Sequence, residues 1–292
     1  MKLVTILTPT YNRANILGNL YKSLQEQLSY NFDWLIVDDG SADDTEQLAS
    51  EFMKEEKFSV RYVKKVNGGK HTALNCGIRE IETPLTIIVD SDDTLLPHAI
   101  QIIEEYYEKY KADESIGVLC FLKCKQDGEL VVAFSQDEFV GSYVENRVKN
   151  SLPGDMAEVF YTETLKQYPF PEFEGERFLS EDVVWIPMAL KYQSVFIRDA
   201  IYQCEYLEGG LTANDKPMKF ASPLGSMMRG RVLMNRACGI KANIKGAIIY
   251  NCYRLDAKKP IPNSVRTENA WQKLLVCATY PLGILFNYKW KK

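Results

Sequence analysis

Residues 85–95 have the sequence LTIIVDSDDTL, an apolar run that ends in the three carboxylates of Asp90, Asp92 and Asp93. The run is rich in Val and Ile, as expected of a strand that is covered on both faces of a sheet. Three carboxylates within four residues repel one another, and a bound cation relieves that repulsion. Oxygen ligands favour Mg²⁺ or Mn²⁺. The stretch therefore predicts a strand that ends in a divalent metal site.

Two other interpretations of this stretch compete with the metal site. The acidic residues and Thr94 would also suit the first turn of a helix over about 95–110, where they stabilise the helix dipole. Residues 87–96 (IIVDSDDTLL) also fit the D-x-D-x-T signature of phosphatases that use an aspartyl nucleophile. That signature normally lies on the first strand of its domain, whereas here two strand–helix units precede it. The order of the elements therefore disfavours a phosphatase.

The segments around this strand alternate between strand and helix. Hydrophobic periodicity predicts strands at about 3–8, 33–38, 58–64, 85–89 and 116–123. It predicts helices at about 14–27, from a cap at Ser41 or Asp43 to about 54, and at 71–80 and 95–110. This alternation predicts the α/β class, with a parallel sheet and helices on both of its faces.

Polar residues follow three of the predicted strands. Residues 8–11 (TPTY) end the first strand, Asp38 and Asp39 end the second, and the carboxylates of residues 90–93 end the fourth. In open α/β sheets, ligands bind outside the carboxyl ends of the strands. We therefore expect the three groups to contribute to one site.

The second half of the chain is less regular. Strands are predicted at about 130–134 and 155–161, and the aromatic-rich segment 166–185 contains the acidic pair Glu181 and Asp182. Helices are predicted at about 220–254 and, beyond a turn near 260–262, in the last apolar stretch.

Charge is distributed very unevenly along the chain. Residues 216–292 hold 15 Lys and Arg against 2 Asp and Glu, a balance of +13, whereas residues 1–215 hold 20 against 37, a balance of −17. A basic end on an acidic body suggests a surface for anions, either phospholipid headgroups or a phosphate-bearing substrate. A solvated helical face is the alternative. No nucleic-acid-binding motif accompanies the basic residues, so a nucleic-acid partner is not expected.

The last predicted helix, residues 271–286, is apolar, and it is followed by aromatic residues and lysines. It is too short to span a bilayer but would suit a position in the membrane interface. Packing on the core or at an oligomer interface is the alternative.

The composition is that of a globular protein with a substantial core, with 46% hydrophobic and 25% charged residues. Seven cysteines are scattered without a C-x-x-C pair and only two histidines are present, so neither a disulfide framework nor a structural zinc is expected. The N-terminal apolar stretch is short and lacks a cleavage site, and no apolar run is long enough for a membrane span. We expect a cytoplasmic protein, with a peripheral position on the inner face of the cell membrane as an extension of that expectation.

Four motifs together resemble family 2 of the inverting glycosyltransferases, which have the GT-A fold. They are ILTPTYNR at 6–13, IVDDGSADDT at 36–45, NGGKHTALNCGI at 67–78 and IIVDSDD at 87–93. Their order and spacing also match. The segment FPEFEGERFLSEDVVW at 170–185 is similar to the one that bears the catalytic base in bacterial members that make capsule, exopolysaccharide or teichoic acid. YLEGGLTAN at 206–214 resembles a loop near the donor in those enzymes.

The resemblance implies a binding site for a nucleotide-diphospho-sugar, with a UDP-sugar favoured. Tyr11 would stack on the nucleobase, Thr8 and Pro9 would line the same pocket, and Asp38 would bind the uracil edge beside its neighbour Asp39.

The diphosphate side of that site is implied in the same way. Arg13 and Lys70 would meet the diphosphate, with His71 and Asn75 as less certain neighbours. Asp90 would face both ribose and metal, with Ser91 beside it. Asp92 would bind Mn²⁺ or Mg²⁺ directly, and Asp93 would support the cluster or cap a helix.

The implied reaction is a single displacement that inverts the anomeric carbon. Such a reaction needs a carboxylate to take the proton of the acceptor hydroxyl. Asp182 matches that position, and Glu181 would pair with it or orient the acceptor. The implied acceptor is a saccharide, favoured to be lipid-linked, in the synthesis of a bacterial surface polysaccharide. A non-catalytic nucleotide-sugar-binding module and a nucleotidyltransferase are the alternatives, and the latter would need a Gly-rich, basic loop that residues 8–13 lack.

The resemblance also divides the chain. Residues 1–215 would form the GT-A catalytic domain, with a Rossmann-like, mostly parallel central sheet flanked by helices. Its nucleotide-binding half would be about 1–125, and its acceptor and base half about 126–215. Residues 216–292 would form a basic helical C-terminal extension that associates with a membrane or with a second subunit.

Overall fold

The computed structural model describes residues 2–150, 152, 154–204 and 215–291, so the predicted donor loop at 206–214 lies outside the described residues. The strands are β1 (Val4–Thr10), β2 (Phe32–Asp38), β3 (Ser59–Lys64), β4 (Leu85–Ile88), β5 (Thr94–Leu95), β6 (Ile116–Cys124), β7 (Glu138–Gly141), β8 (Met156–Tyr161) and β9 (Gln193–Gln203). The α-helices are α1 (Leu17–Gln25), α2 (Thr45–Phe52), α3 (Lys70–Arg79), α4 (Ala99–Tyr110), α5 (Thr162–Lys166), α6 (Asp182–Ala189), α7 (Asp215–Ala221), α8 (Pro223–Leu233), α9 (Gly239–Arg254) and α10 (Ala270–Lys291). Short π-helical and 3₁₀ segments lie at Val144–Lys149 and Arg236–Cys238.

The nine strands form one sheet in the order β3-β2-β1-β4-β8-β6-β9-β5, and β7 also pairs with β9. The strands β3, β2, β1 and β4 are parallel to one another, and β6 is parallel to β9, whereas β5 and β7 are antiparallel to β9. β8 is antiparallel to both β4 and β6, so the sheet is mixed and mostly parallel rather than fully parallel. The chain runs outward from β1 to β3 and then returns to the other side of β1 as β4. This reversal creates the crevice at which α/β sheets bind ligands.

Two hydrophobic cores cover the two faces of the sheet. Because side chains alternate along a strand, Ile6 of β1 lies in one core and its neighbour Leu7 in the other. The first core contains the buried side of α1, including Leu17 and Leu20. The second contains the buried side of α3, including Leu74, and continues into α6 and the C-terminal helices. The basic C-terminal region therefore packs directly on the segment that carries residues 181 and 182.

Close backbone contacts hold the C-terminal helices together. A Cβ atom on Gly230 of α8 would lie 2.6 Å from the Gly246 carbonyl oxygen of α9, and one on Gly246 would lie 2.5 Å from the Gly230 oxygen. Between α9 and α10, the Asn251 amide donates to the Val276 carbonyl at 2.8 Å, and the Asn287 amide donates to the Cys252 carbonyl at 2.7 Å. None of the described helices combines the length and the apolar character that a membrane crossing needs.

Three local predictions are wrong. The helix predicted from residue 95 begins at Ala99, because residues 94 and 95 form β5 against β9. The segment 130–134 forms no strand and contributes one bridge, between Leu130 and Cys124. The N-cap of α2 is Asp44 rather than Ser41 or Asp43, and the helix begins at Thr45.

We expect Gly246→Ala to lower the free energy of unfolding by about 1–3 kcal/mol, because its Cβ would overlap the Gly230 carbonyl group. Gly18→Ala in α1 is the matched control, since nothing lies within 4 Å of its Cβ position. There we expect a gain of about 0.5–1 kcal/mol from the better helix former. Urea unfolding of both variants tests the difference, and equal effects would contradict the close crossing of α8 and α9.

Candidate active site

The carboxyl ends of β1, β2 and β4 meet at one edge of the sheet. Thr10 pairs with Asp38 across β1 and β2, and Leu7 pairs with Ile88 across β1 and β4. The three polar groups predicted from the sequence therefore lie at one place, in the crevice between β1 and β4.

The carboxylate cluster follows β4. Asp90, Asp92 and Asp93 offer oxygen atoms that all lie within 4.8 Å of one another. The Tyr202 hydroxyl on β9 accepts a hydrogen bond from the Asp90 N–H at 3.0 Å and donates one to Asp93 Oδ2 at 2.8 Å. Asp93 is thus tied to β9, whereas the other two carboxylates are partly exposed. Because the next helix begins only at Ala99, the cluster is not a helix cap, and its oxygen ligands suit Mg²⁺ or Mn²⁺.

Lys70 joins this cluster to the segment that precedes α6. Its Nζ lies 2.7 Å from Asp90 Oδ1 and 2.9 Å from Glu181 Oε1. Burial alone would lower the pKa of Lys70, but the two carboxylates outweigh it and raise that pKa above its usual value. Burial alone would raise the pKa of Asp90, but Lys70 and Lys123 outweigh it and lower that pKa. Lys70 and Asp90 therefore stabilise each other's charged form.

Asp182 has a different partner from its neighbour. Its Oδ2 accepts a hydrogen bond from Arg229 Nε of α8 at 2.7 Å. Its Oδ1 is buried and accepts no hydrogen bond from the described residues. A buried carboxylate oxygen without a donor is costly, and it suits a position that a ligand group completes. Glu181, by contrast, faces Lys70, so the two adjacent acids point to different partners.

The residues predicted to surround the nucleobase divide into an accessible and a buried set. Tyr11 is 47% exposed at the end of β1, and the neighbouring Arg13 has its Nη2 3.7 Å from Asp92 Oδ2. Thr8 is fully buried and accepts a hydrogen bond from Trp34 Nε1 at 3.0 Å. Pro9 is also buried. The side chains of these two residues lie inside the sheet, and their contribution to a nucleobase pocket stays a prediction.

The carboxylates of Asp38 and Asp39, at the end of β2, already accept hydrogen bonds from other groups of the protein. Asp38 is fully buried, and its carboxylate accepts hydrogen bonds from the Ser41 and Tyr62 hydroxyls, both at 2.6 Å. Asp39 accepts hydrogen bonds from the backbone N–H groups of Gly68 and Gly69 at 2.9 and 2.7 Å. Asp38 therefore shapes the loop in this structure, and a direct bond to a nucleobase would have to replace one of its partners.

Gly69 also connects the two halves of the site. Its φ of +97° is a left-handed conformation that favours glycine, and a Cβ atom there would lie 2.0 Å from the Arg177 carbonyl oxygen. At the other end of the same contact, the Asn75 amide donates to the Phe170 carbonyl at 2.8 Å and to Glu172 Oε1 at 2.7 Å. His71 and Asn75 are both buried, and they support α3 from within the fold.

Residues 5–131 match the family described as Glycosyl transferase family 2. Over these residues, less than half of the chain, the sequence is that of a family 2 glycosyltransferase domain. The chain is also 30% identical over 117 residues to the teichoic acid poly(glycerol phosphate) polymerase of Staphylococcus epidermidis, a match that covers 40% of this chain and 16% of the polymerase. The chain spans less than a third of the length of the first curated relatives that it matches.

Solved structures support the GT-A fold. The structure of S. aureus TarS 1–349 in complex with UDP-GlcNAc has a TM-score of 0.63 at 15% identity, over 99% of this chain and 92% of that one. The mannosyltransferase PcManGT from Pyrobaculum calidifontis, in complex with GDP-Man and Mn²⁺, has a TM-score of 0.59 at 16% identity, over 98% and 86% of the two chains. At these identities the likeness shows the fold alone.

Four residues near the site of this glycosyltransferase domain were not predicted from the sequence. They are Lys123, Glu158, Tyr202 and Arg229. Lys123 and Glu158 are single charges within apolar strands, and that pattern could have marked them. Lys123 Nζ lies 4.1 Å from the centre of the Tyr202 ring. Tyr202 lies on β9 and Arg229 on α8, and the sequence around each of them has no pattern that predicts a functional role.

Glu158 generates a prediction about pH. Burial raises its pKa from 4.5 to about 7, against the opposing effect of Lys123 and Arg147. Between pH 4.5 and about pH 7, Glu158 is therefore protonated in the folded chain but ionised in the unfolded chain. The free energy of unfolding consequently falls as the pH rises through this window.

We expect Glu158→Gln to be more stable than the wild type by about 3 kcal/mol at about pH 8, and similar to it at about pH 4. Thermal unfolding at the two pH values measures the effect. Glu163→Gln, at a side chain that is 85% exposed, is the control and should show no such difference. A Glu158→Gln variant that is equally stable or less stable at the higher pH would contradict the raised pKa.

Proposed function

We propose that this chain is an inverting glycosyltransferase that moves a sugar from a nucleotide-diphospho-sugar to a saccharide acceptor. One observation carries the proposal: Lys70 bridges Asp90 of the carboxylate cluster and Glu181, the residue next to Asp182. The group suited to a metal-bound diphosphate and the segment that carries the proposed proton acceptor thus lie on two sides of one ammonium.

In this proposal Asp90 and Asp92 hold Mn²⁺ or Mg²⁺. Such an ion offsets the charge that develops on the departing diphosphate. While Asp90 holds the metal, Lys70 would remain paired with Glu181, and its ammonium would donate a hydrogen bond to a diphosphate oxygen. Arg13 reaches the same group from β1. The presence of Mn²⁺ in a neighbour of the same fold supports the choice of metal.

Asp182 accepts the proton of the acceptor hydroxyl through Oδ1, the oxygen that has no donor among the described residues. Arg229 holds the other oxygen at 2.7 Å and fixes the orientation of the carboxylate. The hydroxyl oxygen attacks the anomeric carbon as the bond to the diphosphate oxygen breaks, so the configuration inverts. Tyr11 stacks on the base of the donor, for which we favour uracil because the structure of TarS contains UDP-GlcNAc.

We expect Asp182→Asn to lower sugar transfer by about 10²–10⁴-fold, because the amide cannot take the proton. Nucleotide release in the presence of Mn²⁺ and a panel of UDP- and GDP-sugars is the measurement. Asp137→Asn, at a carboxylate that is 94% exposed, is the control and should behave like the wild type. UDP binding by calorimetry should survive both changes. Loss of UDP binding in Asp182→Asn would show that the residue acts in the donor site, and no release by the wild type with any donor would contradict the transferase.

We propose further that α10 docks the enzyme on an anionic membrane, where a lipid-linked acceptor would lie. The polar residues Gln272, Thr279 and Asn287 are buried against the protein, whereas Leu274 and Leu285 are 62% and 57% exposed. This arrangement is the reverse of the one expected for a helix that faces water.

The occupant of this apolar face is argued from charge. No charged residue lies between Lys273 and Lys289, a length of about 24 Å at 1.5 Å per residue, and no acidic residue lies in 270–291. A second copy packed on the same face would bring lysines next to lysines, whereas anionic headgroups complement them.

We expect Leu285→Glu to weaken co-sedimentation with phosphatidylglycerol vesicles at least about tenfold, because a buried leucine contributes about 1.5–3 kcal/mol. Leu28→Glu makes the same change at a side chain that is 69% exposed and distant in sequence, and it should have no effect. A wild-type dimer in sedimentation velocity that Leu285→Glu dissociates, without vesicle binding, would show that the face is a subunit interface.

A further inference from the structure

A cavity of about 110 Å³ opens between the segment that precedes α6 and the C-terminal helices. Its charged walls are Lys219 of α7, Arg229 of α8 and Lys245 of α9, and no carboxylate is among the described residues that line it. Three basic residues from three separate helices line one concave surface. Like charges on one surface are stabilised by an anionic ligand.

Aromatic side chains form the rest of the wall. Phe178, Tyr253 and Trp290 line the cavity, and Lys219 Nζ lies 6.0 Å from the centre of the Phe178 ring. Aromatic surface lowers the local dielectric constant and thereby strengthens the attraction between the cations and a bound anion. The combination fits a small anionic group that carries some carbon, such as a phosphorylated polyol or sugar.

The cavity is adjacent to the proposed base. Arg229 lines the cavity and also donates from Nε to Asp182 Oδ2 at 2.7 Å. Ser180, two residues before Asp182, lines it as well. The side chain of Arg229 would therefore lie between a group held in the cavity and Asp182, the carboxylate that would take the acceptor's proton.

The donor side of the site cannot supply this cation set. There Lys70 is paired with Asp90 and Glu181, and Arg13 lies beside Asp92, so the cations already have carboxylate partners and an additional phosphate that carries no metal would meet negative charge. An acceptor that itself carries phosphate needs cations of its own, and the basic C-terminal helices provide them.

We propose that this cavity is an acceptor subsite that binds a phosphate group of the acceptor beside Asp182. The inference rests on the proposed function, because it is that function which makes Asp182 the residue facing the acceptor. The phosphate would belong either to a polyol-phosphate polymer or to a lipid diphosphate. The two sources share the chemistry of the phosphoryl oxygens.

The test measures binding of sn-glycerol 3-phosphate in EDTA, by calorimetry and by tryptophan fluorescence, with glycerol as the neutral probe. We expect glycerol phosphate to bind and glycerol not to bind. Lys219→Gln/Lys245→Gln should weaken binding at least about tenfold, because each charge-assisted hydrogen bond contributes more than a neutral one. Trp290→Phe should remove most of the fluorescence change.

Lys241→Gln is the matched control, because Lys241 lies one turn before Lys245 on α9, is exposed and does not line the cavity. It should bind like the wild type. Should the double variant fail to fold, Lys245→Gln alone changes an exposed side chain and tests the same cation. Equal binding of both probes, or an equal loss in Lys241→Gln, would overturn the subsite.

Two further arms separate the sources and the hypotheses. Glycerol phosphate oligomers in solution and phosphatidylcholine vesicles that carry a polyprenyl diphosphate are tested with the same variants. Tighter binding of either ligand that depends on Lys219 and Lys245 would support the subsite and identify the source of the phosphate. No such increase with either ligand would overturn the subsite. UDP binding with Mn²⁺ is measured on the wild type in parallel, so that failure of the donor site is distinguished from failure of the acceptor subsite.

Discussion

The ammonium of Lys70 lies between two carboxylates that come from distant parts of the chain and would otherwise repel each other. Asp90 ends β4, and Glu181 lies just before α6, more than ninety residues later. An ion pair that is only partly exposed is screened less by salt than a surface pair. The contact therefore fixes the distance between the strand ends and the second half of the site, and Gly69 permits it by allowing the backbone to approach Arg177.

The C-terminal helices complete the site because they bring a second cation to the opposite side. Arg229 of α8 holds Asp182, as Lys70 holds Glu181, so each of two adjacent acids has its own basic partner. The close crossing at Gly230 and Gly246 fixes α8 with respect to α9. A shift of that crossing would move Arg229, which lies next to Gly230, and with it the orientation of the Asp182 carboxylate. The packing of glycines far from the sheet and the geometry of the proposed base are thus physically connected.

Much of the sheet could be predicted from the sequence, because strands covered on both faces leave long Val- and Ile-rich runs. β1, β2 and β4 and the polar groups that follow them belong to this class. The start of α4 could not be predicted, since it depends on the pairing of residues 94 and 95 with β9, more than a hundred residues away. The same holds for Tyr202, which bonds to the carboxylate cluster from β9. Asp38 lies at the end of β2 as predicted, whereas β1 continues two residues beyond Thr8, and long-range contacts with Tyr62 and Trp34 hold the side chains of Asp38 and Thr8 inside the fold.

The uneven charge of the chain has a structural meaning once the site is assembled. The acidic body places three of its carboxylates, those of Asp90, Asp92 and Asp93, where a divalent cation would neutralise them. The basic helices place Lys219, Arg229 and Lys245 on the other side of Asp182, where no metal is needed to attract phosphate. In the proposed reaction Asp182 lies between these two regions, with Arg229 held against one oxygen and the other oxygen left for the acceptor hydroxyl. In that proposal the acidic and the basic regions of the chain form two halves of one reaction site, with Asp182 at their boundary.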